Sequence, residues 1–507
     1  MNKHVIIIGS GLGGLVCGYI LAKNGYRVTI LEKNPQIGGC LQTFKRKGVI
    51  FDTGMHYIGS MDKDQILYRF FNYLNLLDDV QLSRLDSSGY DVISIAGETY
   101  KYASGFDNFV ETLSGHFPKN VDDIKEYVRR IKEIADASPM YKLQEINTNV
   151  FIEADYIKTG VNEFIESVTQ NKRLQSVLAG NLPLYAGVKD KTPTYIHALI
   201  NNFYIQSAYR IVGGSGTIAD SLAKSIRSFG GEIKTNAEVE EFICDDQKMT
   251  EVLLTDGRRL EADYFISNIH PQITTEKIKT KLIRKAYRDR IANLENTISN
   301  FTVFIKFKKN RVNYLNSNFY YYDNEDVWSF NNYDETRWPE SYLYMHQSVE
   351  QNARFAESAQ LIAYMRYDEV KQWAHTTVGN RGADYEAFKA QKAELLLDKL
   401  EQSFPGTKDA IEAIYTSSPL TYWDYTASKD GSMYGIVRDK NFPTQTLVSQ
   451  RTKVPNLFMT GQNINSHGIL GVIIGAIITS AEFLGMKRIV EQINNEQFEM
   501  HPSFLVI

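Results

Sequence analysis

Three glycines near the start of the chain are spaced so that they could hold the phosphates of a nucleotide. Gly9, Gly11 and Gly14 follow the G-x-G-x-x-G pattern directly after the apolar run Val5–Ile8. The first glycine permits a tight turn, the second lets backbone N–H groups approach a pyrophosphate, and the third lets the following helix lie close to the strand. The N-terminus of that helix adds partial positive charge beside the phosphates. The spacing therefore predicts a dinucleotide-binding site.

An acidic residue at the end of the next predicted strand supports the same interpretation. The helix pattern continues to about Lys23, Gly25 ends it, and Tyr26–Leu31 predicts a second strand followed by Glu32. A carboxylate at that position can accept hydrogen bonds from both hydroxyls of an adenosine ribose. Because it would repel a 2′-phosphate, we expect an unphosphorylated ribose. A glycine-rich turn without a ligand is the alternative, which the combination of strand, helix and acid disfavours.

The size and charge of the chain exclude some classes of function. With 507 residues it is too long for one compact core, so we expect at least two domains. Its hydrophobic content of 43% and charged content of 23% are ordinary for a soluble protein. The formal charge of −4 gives no electrostatic support for a nucleic-acid partner.

The cysteines and the N-terminus indicate a cellular compartment. Cys17, Cys40 and Cys244 are isolated thiols, which favours a reducing compartment over a disulfide framework or a zinc site, and no metal site is predicted. The first predicted strand begins at Val5, which leaves no room for a cleavable signal sequence. The longest apolar run, Ile469–Ile478, is too short to cross a bilayer. We therefore expect a cytoplasmic protein, and contact with a membrane surface stays open.

Other glycine-containing segments predict backbone that passes close to a ligand. Gly38-Gly39 marks a sharp turn, and Phe51–Gly59 is a short strand-like piece with an internal glycine. Near the C-terminus, a short strand ends at Thr460-Gly461 and a helix with small residues begins at about Gly468. Ordinary turns and a buried helix are the alternatives. Arg210–Val239 repeats the strand–glycine–helix order without the fingerprint spacing, so we assign it a structural role.

Two long insertions separate these segments. From Phe106 to about Leu178 the pattern is largely helical, which is typical of core packing, with a helical lid over an apolar entrance as the alternative. A hairpin is predicted over Tyr90–Tyr102 with its turn at Ala96-Gly97. The second insertion predicts a helix at Asp384–Ser403 and a loop at Asp424–Gly435. The strands predicted there are Asn300–Lys308, Phe319–Trp328, Tyr342–Met345 and the edge strand Ile414–Trp423.

Four of these segments together resemble a known family. GSGLGG…LEK, IGGCLQTF, FDTGMHYIG and NLFMTGQNINSHGILGVIIGA resemble the carotenoid-desaturase superfamily of flavoproteins, and within it the retinol saturase and carotenoid isomerase branch. The resemblance is weak over residues 100–200 and 275–410, where substrate choice would be made. It implies an α/β fold with a discontinuous, Rossmann-like FAD-binding domain of residues 1–90, 195–275 and 446–490. An inserted mixed α+β substrate domain with a helical lid would comprise residues 91–194 and 276–445.

The resemblance also implies how FAD is held. Glu32 would bind the adenosine ribose, Val239 the adenine through its backbone, and Gly54–His56 would approach the isoalloxazine. Many relatives have Arg after the glycine pair, whereas this chain has Cys40, so a phosphate contact from that side chain is in doubt. The expected cofactor contacts are Gly9, Ser10, Gly11, Leu12, Gly13, Gly14, Glu32, Lys33, Gly38, Gly39, Cys40, Leu41, Gly54, Met55, His56, Val239, Gly461, Gln462, Gly468, Ile469, Leu470 and Gly471.

The implied activity is an FAD-dependent oxidoreductase acting on a C=C bond of a long apolar polyene by hydride transfer at flavin N5. Saturation, desaturation and isomerisation stay open. The electron donor or acceptor stays open too, because the sequence has no second dinucleotide fingerprint. His56, Tyr57 and His467 are expected near the flavin and are candidates for proton transfer, although a histidine beside a cofactor more often has a structural role.

Two other functions compete with this one. A flavin amine oxidase shares the fold, oxidises a C–N bond and usually has an aromatic cage beside the flavin. A non-catalytic FAD-binding isoprenoid carrier would keep the fold without redox turnover. The segment FDTGMHYIG and the C-terminal motif favour the polyene enzyme.

Overall fold

The computed structural model describes residues 3–144, 154–347, 353–464 and 466–495. The predicted helical stretch Phe106–Leu178 includes residues 145–153, which lie outside these ranges. The strands are β1 (His4–Ile8), β2 (Arg27–Leu31), β3 (Thr43–Arg46), β4 (Val49–Asp52), β5 (Ile58–Gly59), β6 (Leu82–Arg84), β7 (Asp91–Ile95), β8 (Glu98–Tyr102), β9 (Ala208–Ile211), β10 (Glu232–Lys234), β11 (Val239–Cys244), β12 (Met249–Leu254), β13 (Arg259–Glu261), β14 (Tyr264–Ser267), β15 (Ser299–Phe307), β16 (Asn318–Tyr322), β17 (Ser341–His346), β18 (Ser358–Met365), β19 (Ile411–Ser417) and β20 (Leu457–Met459).

The α-helices follow in the same order. They are α1 (Leu12–Lys23), α2 (Ile66–Tyr73), α3 (Phe106–His116), α4 (Val121–Asp136), α5 (Asp155–Lys158), α6 (Val161–Val168), α7 (Lys172–Leu178), α8 (Thr194–Gln206), α9 (Gly216–Ser228), α10 (Pro271–Lys277), α11 (Lys285–Ala292), α12 (Ala383–Ser403), α13 (Thr407–Ala410), α14 (Pro419–Thr426), α15 (Pro443–Thr446), α16 (Gly468–Leu484) and α17 (Met486–Asn495).

A five-stranded parallel sheet carries the glycine fingerprint. Its strand order is β10-β2-β1-β14-β20, so it gathers strands from three distant parts of the chain. Val5 and Ile7 of β1 pack in one core cluster with α1, α9 and α16, whereas Ile6 and Ile8 pack on the opposite face with β11 and β12. Because both faces of β1 are buried, its sequence contains a continuous run of apolar residues. The predicted α/β, Rossmann-like fold is confirmed, and the domain boundaries stay a prediction.

The second large sheet is mixed and has seven strands in the order β19-β15-β18-β17-β16-β7-β8. The predicted hairpin is confirmed, since β7 and β8 pair antiparallel with Ile95 opposite Glu98. β7 also pairs in parallel with β16, which joins the first insertion to the second. Helices from α3 to α8 pack on one face of this sheet and α12 packs on the other. The first insertion is therefore packed into a core, as the sequence predicts.

One predicted element is wrong at its end. The sequence predicts an edge strand over Ile414–Trp423, but the edge strand β19 ends at Ser417 and Pro419 begins the helix α14. The Oγ of Ser418 accepts a hydrogen bond from the backbone N–H of Leu420 (3.3 Å), so Ser418 caps the helix and Pro419 occupies its first position. Likewise β16 ends at Tyr322, short of the predicted end at Trp328.

Within the described ranges, no single helix combines the length and hydropathy required to cross a bilayer. The helices α16 and α17 meet that requirement only when taken as a pair, and the pair is bent by 119°.

Candidate active site

A cavity of about 700 Å³ lies along the carboxyl edge of the parallel sheet. Ligands of open α/β sheets bind at this edge, where the strand ends and helix N-termini face them. Parts of all three chain stretches that form the sheet line the cavity. The predicted cofactor contacts found in its lining are Gly9, Gly11, Leu12, Gly13, Glu32, Lys33, Gly38, Gly39, Cys40, Leu41, Gly54, Met55, Val239, Gly461, Gln462, Gly468 and Ile469.

The turn at Gly9–Gly14 and the turn at Gly38-Gly39 pack against each other so closely that side chains would not fit between them. Gly11 and Gly38 form a parallel bridge, and a Cβ added at Gly39 would lie 3.1 Å from the Cα of Gly11. Gly14 does not line the cavity, and a Cβ there would lie 2.2 Å from the carbonyl oxygen of Gly9. The third glycine of the pattern thus brings helix α1 against the strand, as the spacing predicts, while the first two leave backbone open to the cavity.

The carboxylate of Glu32 stabilises the first glycine turn through hydrogen bonds from Ser10. One oxygen of its carboxylate accepts hydrogen bonds from the backbone N–H (3.0 Å) and the hydroxyl (2.6 Å) of Ser10, and the other accepts from the N–H of Asn34 (2.9 Å). The side chain is only 6% exposed and still lines the cavity, whereas Ser10 is fully buried behind it. A carboxylate has about four acceptor sites, and hydrogen bonds from the described residues use three of them, which leaves one for a ligand. Its binding of a ribose stays a prediction.

Cys40 follows the second glycine turn and Lys33 follows Glu32, and both side chains line the cavity. Burial raises the pKa of the Cys40 thiol to about 11, so this side chain is neutral at physiological pH. Lys33 lines the cavity and its Nζ donates to the backbone carbonyl of Asp424 (2.6 Å), while burial lowers its pKa. The position that follows the glycine pair therefore presents no cation, although Lys33, Lys277 and Lys429 line other parts of the cavity.

The segment Tyr422–Lys429 also lines the cavity, and the sequence does not place it there. It comes from the end of α14 and the residues after it, where the sequence predicts an edge strand and a loop. The hydroxyl of Tyr422 donates to the carbonyl of Thr53 (3.0 Å), which ties this segment to the predicted flavin-facing segment Gly54–His56. Asn268, after β14, is a further lining residue that the sequence analysis missed.

A second cavity of about 100 Å³ adjoins the first, and we call it the tyrosine cavity. The two cavities share part of their lining, including Met55, Tyr434 and Ile469. The tyrosine cavity is enclosed mainly by aromatic and apolar side chains. Its lining is Gly54, Met55, His56, Tyr57, Pro183, Leu184, Tyr204, Tyr321, Tyr322, Ser341, Tyr342, Leu343, Ile362, Tyr364, Met433, Tyr434, Gly468 and Ile469.

His56 and Tyr57, two of the three predicted proton-transfer residues, line the tyrosine cavity. The Nδ1 of His56 is buried and has no hydrogen-bond partner among the described residues. Burial and, second, the charge of Arg210 lower the pKa of His56 to about 4, so its ring is neutral at pH 7. Tyr57 is buried, and burial raises its pKa well above the ordinary value.

The hydroxyl of Tyr57 belongs to a buried hydrogen-bond network. It lies 2.6 Å from the hydroxyl of Tyr320 and donates to a carboxyl oxygen of Asp91 at 3.1 Å. The other oxygen of Asp91 accepts from the Nδ2 of Asn318 (2.7 Å). Burial raises the pKa of Asp91 to about 7, against the effects of these two hydrogen bonds and of Arg210. No local sequence signal marks Asp91, Asn318 or Tyr320, because the pairing of β7 with β16 brings them together.

The third candidate, His467, lies at the N-terminus of α16 but in the lining of neither cavity. Its ring packs against Tyr434 with centroids 4.8 Å apart. Burial and then Arg438 lower the pKa of His467 to about 3. Leu470 and Gly471, on the first turn of α16, also lie outside the cavity linings. Among the residues that the structure describes, no group of three His, Cys, Asp or Glu side chains could hold a metal ion.

Comparisons with known proteins agree with this geometry. The family model described as flavin containing amine oxidoreductase matches residues 12–482. Human all-trans-retinol 13,14-reductase is 27% identical over 95% of this chain and 85% of its own length. A 4,4′-diaponeurosporene oxygenase of Staphylococcus aureus is 24% identical over 92% of this chain and 95% of its own length.

A solved structure of wild-type putrescine oxidase bound to putrescine shows the same fold. Its TM-score is 0.63 at 15% identity, and the match covers 96% of this chain and 99% of that one. At this identity the likeness concerns the fold alone.

Proposed function

We propose that this chain, which belongs to the flavin-containing amine oxidoreductase family, reduces a carbon–carbon double bond of a long apolar polyene. The observation that carries the proposal is the tyrosine cavity. It adjoins the cofactor cavity, is lined largely by aromatic rings, and has two side chains able to exchange protons, His56 and Tyr57, in its wall.

The cofactor is FAD, and the larger cavity fits it. The glycine turns leave backbone N–H groups and the N-terminus of α1 for the pyrophosphate, which is the arrangement a dinucleotide requires. Glu32 and the backbone of Val239 would hold the adenosine end. Gly461-Gln462 and the N-terminus of α16 would stabilise negative charge on the reduced ring. When bound, FAD supplies the hydride chemistry.

The relatives support the choice of substrate class. The human relative is named as a reductase of all-trans-retinol, and the bacterial relative as an oxygenase of 4,4′-diaponeurosporene. Both of these compounds are polyenes. An enzyme that adds hydride to one carbon of such a chain must also deliver a proton to the neighbouring carbon, and the wall of the tyrosine cavity provides candidates for that delivery.

The tyrosine cavity is narrow for this substrate class. Its volume of about 100 Å³ is below the roughly 300 Å³ at which ligand pockets usually begin. We therefore expect lining rings such as Tyr204, Tyr364 and Tyr434 to turn when a polyene binds. Their aromatic faces would then pack on the conjugated chain.

The direct test mixes photoreduced protein with retinol or a lycopene-type polyene in the absence of oxygen. We expect the flavin to reoxidise and mass spectrometry to find a product two hydrogens heavier than the substrate. A flavin that stays reduced with every polyene would refute the proposal and favour a carrier. Hydrogen peroxide formation with putrescine or another polyamine would instead favour an amine oxidase.

A matched pair of variants shows whether turnover depends on the tyrosine cavity. Tyr57→Phe keeps the ring in the cavity wall and removes only the hydroxyl, so we expect FAD to stay bound and turnover to fall. Tyr209→Phe removes a hydroxyl that bonds Asp62 (2.5 Å) outside both cavities and should leave turnover unchanged.

A further inference from the structure

The buried carboxyl group of Asp91 lies within hydrogen-bond distance of the Tyr57 hydroxyl. Asp91 is fully buried at the start of β7, and its side chain touches both Asn318 and the hydroxyl of Tyr57. Tyr57 lines the tyrosine cavity, whereas Asp91 does not. Tyr57 therefore belongs both to the wall of the tyrosine cavity and to the hydrogen-bond network of the carboxyl group.

Tyr57 by itself is a poor proton donor. Burial is the first cause that raises its pKa well above the ordinary value, and the nearby Asp91 is the second, so its phenolate form is strongly disfavoured. A hydroxyl in this position can release a proton only if it receives another one at nearly the same time. Among the described residues, the two groups near enough to supply it are the hydroxyl of Tyr320 at 2.6 Å and the carboxyl of Asp91 at 3.1 Å.

We propose that Asp91 stores the proton that Tyr57 delivers to the polyene. This inference rests on the proposed reduction of a double bond. Tyr57 is the group that would touch the substrate, and Asp91 acts through it. Tyr320 and Asn318 hold the pair in position by their hydrogen bonds.

In the reducing direction, one proton moves from Tyr57 to the substrate and another moves from Asp91 to Tyr57. The O–H bond of Tyr57 breaks as a C–H bond forms on the carbon next to the one that receives hydride. The O–H bond of the protonated Asp91 breaks as the hydroxyl of Tyr57 is restored. Asp91 is left as a carboxylate that accepts hydrogen bonds from Asn318 and Tyr57, and it regains its proton from solvent before the next turnover.

The surroundings of Asp91 suit storage near neutral pH. The guanidinium of Arg210 is positively charged and favours the carboxylate of Asp91. The other titratable groups that interact with it electrostatically are neutral phenols on several elements: Tyr57, Tyr90, Tyr102, Tyr204 and Tyr320. Because burial outweighs the hydrogen bonds from Asn318 and Tyr57 and the charge of Arg210, the pKa of Asp91 is about 7, and the group can both hold and release a proton there.

The first test measures the stored proton without any turnover. Infrared spectra of the FAD-loaded protein taken from pH 5 to pH 9 should contain a protonated-carboxyl C=O band that fades near pH 7. This band, which is distinct from one of Asp52 that fades near pH 6, should be missing from Asp91→Asn. It should be present in Asp79→Asn, which alters a carboxyl bonded to Ser221 (2.8 Å) outside both cavities. A wild-type spectrum without a band that depends on Asp91 overturns the proposal.

A second variant keeps this test usable if Asp91→Asn does not fold. Tyr57→Phe removes a hydrogen bond that favours the carboxylate of Asp91, so the band should persist to higher pH than in the wild type. A band that titrates at the same pH in both proteins overturns the proposal.

The second test follows turnover with reduced protein and retinol. Wild-type turnover should decrease as the pH rises through about 7, because Asp91 must be protonated. Asp91→Asn should be slower by about 10²-fold and insensitive to pH over that range. A variant with the wild-type rate and pH profile refutes the role of Asp91. If the wild type reduces no polyene at all, the proposed function fails, while the infrared titration still decides whether Asp91 stores a proton.

Discussion

Replacing Asp52 by asparagine tests how strongly burial controls a second carboxyl group near the active site. Asp52 is 5% exposed at the end of β4. One of its oxygens accepts from the backbone N–H (2.6 Å) and hydroxyl (2.8 Å) of Ser215, and the other accepts from the Nε2 of Gln347 (2.9 Å). Burial nevertheless outweighs these hydrogen bonds and the charge of Arg210, and raises the pKa of Asp52 from 3.8 to about 6.

The raised pKa of Asp52 sets the size of the expected change in folding free energy. A rise of about two pKa units corresponds to about 3 kcal/mol of folding free energy. The folded state keeps a proton that the unfolded state has already lost between pH 4 and pH 6. This contribution of Asp52 to stability is therefore complete below about pH 4 and is lost as the pH rises through 6. An asparagine cannot ionise, so Asp52→Asn should not show the loss.

The fold can accommodate this variant. The new amide oxygen can still accept from Ser215, and the new NH₂ would face Gln347. The Oε1 of Gln347 has no hydrogen-bond partner among the described residues, so a flip of that amide lets it accept from the NH₂. The comparison therefore changes the charge of the site more than its packing.

The assay is denaturant unfolding of wild type and Asp52→Asn at several pH values from 4 to 7. The free energy of unfolding of the wild type should fall relative to the variant by about 3 kcal/mol over this range. Asp79→Asn is the control, because hydrogen bonds from Ser221 and Lys224 lower the pKa of Asp79 and place its titration below this range. A difference between wild type and Asp52→Asn that does not change with pH would refute the reasoning.

Three further predictions concern the cavities. Gly39→Ala should lower the FAD content of purified protein, measured by flavin absorbance, because its Cβ would meet Gly11 at 3.1 Å, whereas Gly115→Ala, with nothing within 4 Å, should keep it. His56→Gln should keep FAD and reduce turnover by about 10²-fold, and unchanged turnover would remove this histidine from the mechanism. The thiol of Cys40, whose pKa burial raises to about 11, should resist alkylation at pH 8 until denaturant is added, as mass spectrometry of the labelled protein can show.

Local spacing accounts for the parts of the fold that the sequence predicts well. The fingerprint Gly9–Gly14, the helix α1 and the hairpin β7–β8 depend on residues within a few positions of one another. Their conformations follow from glycine geometry and apolar periodicity, which a single sequence contains. The start of α14 shows the limit, because Ser418 and Pro419 form an N-cap inside a segment whose apolar pattern also suits a strand.

The sequence by itself predicted a dinucleotide site at its first strand, helix and acid, and it indicated which distant glycine segments would join them. Only the tertiary structure decided which side chains lie next to the hydroxyl of Tyr57. Asp91 and Asn318 are separated by 227 positions and meet because β7 and β16 pair in one register. Such a register depends on the packing of both faces of a sheet, so no local pattern encodes it. The same holds for Asp52, whose pKa depends on burial by residues from three other parts of the chain.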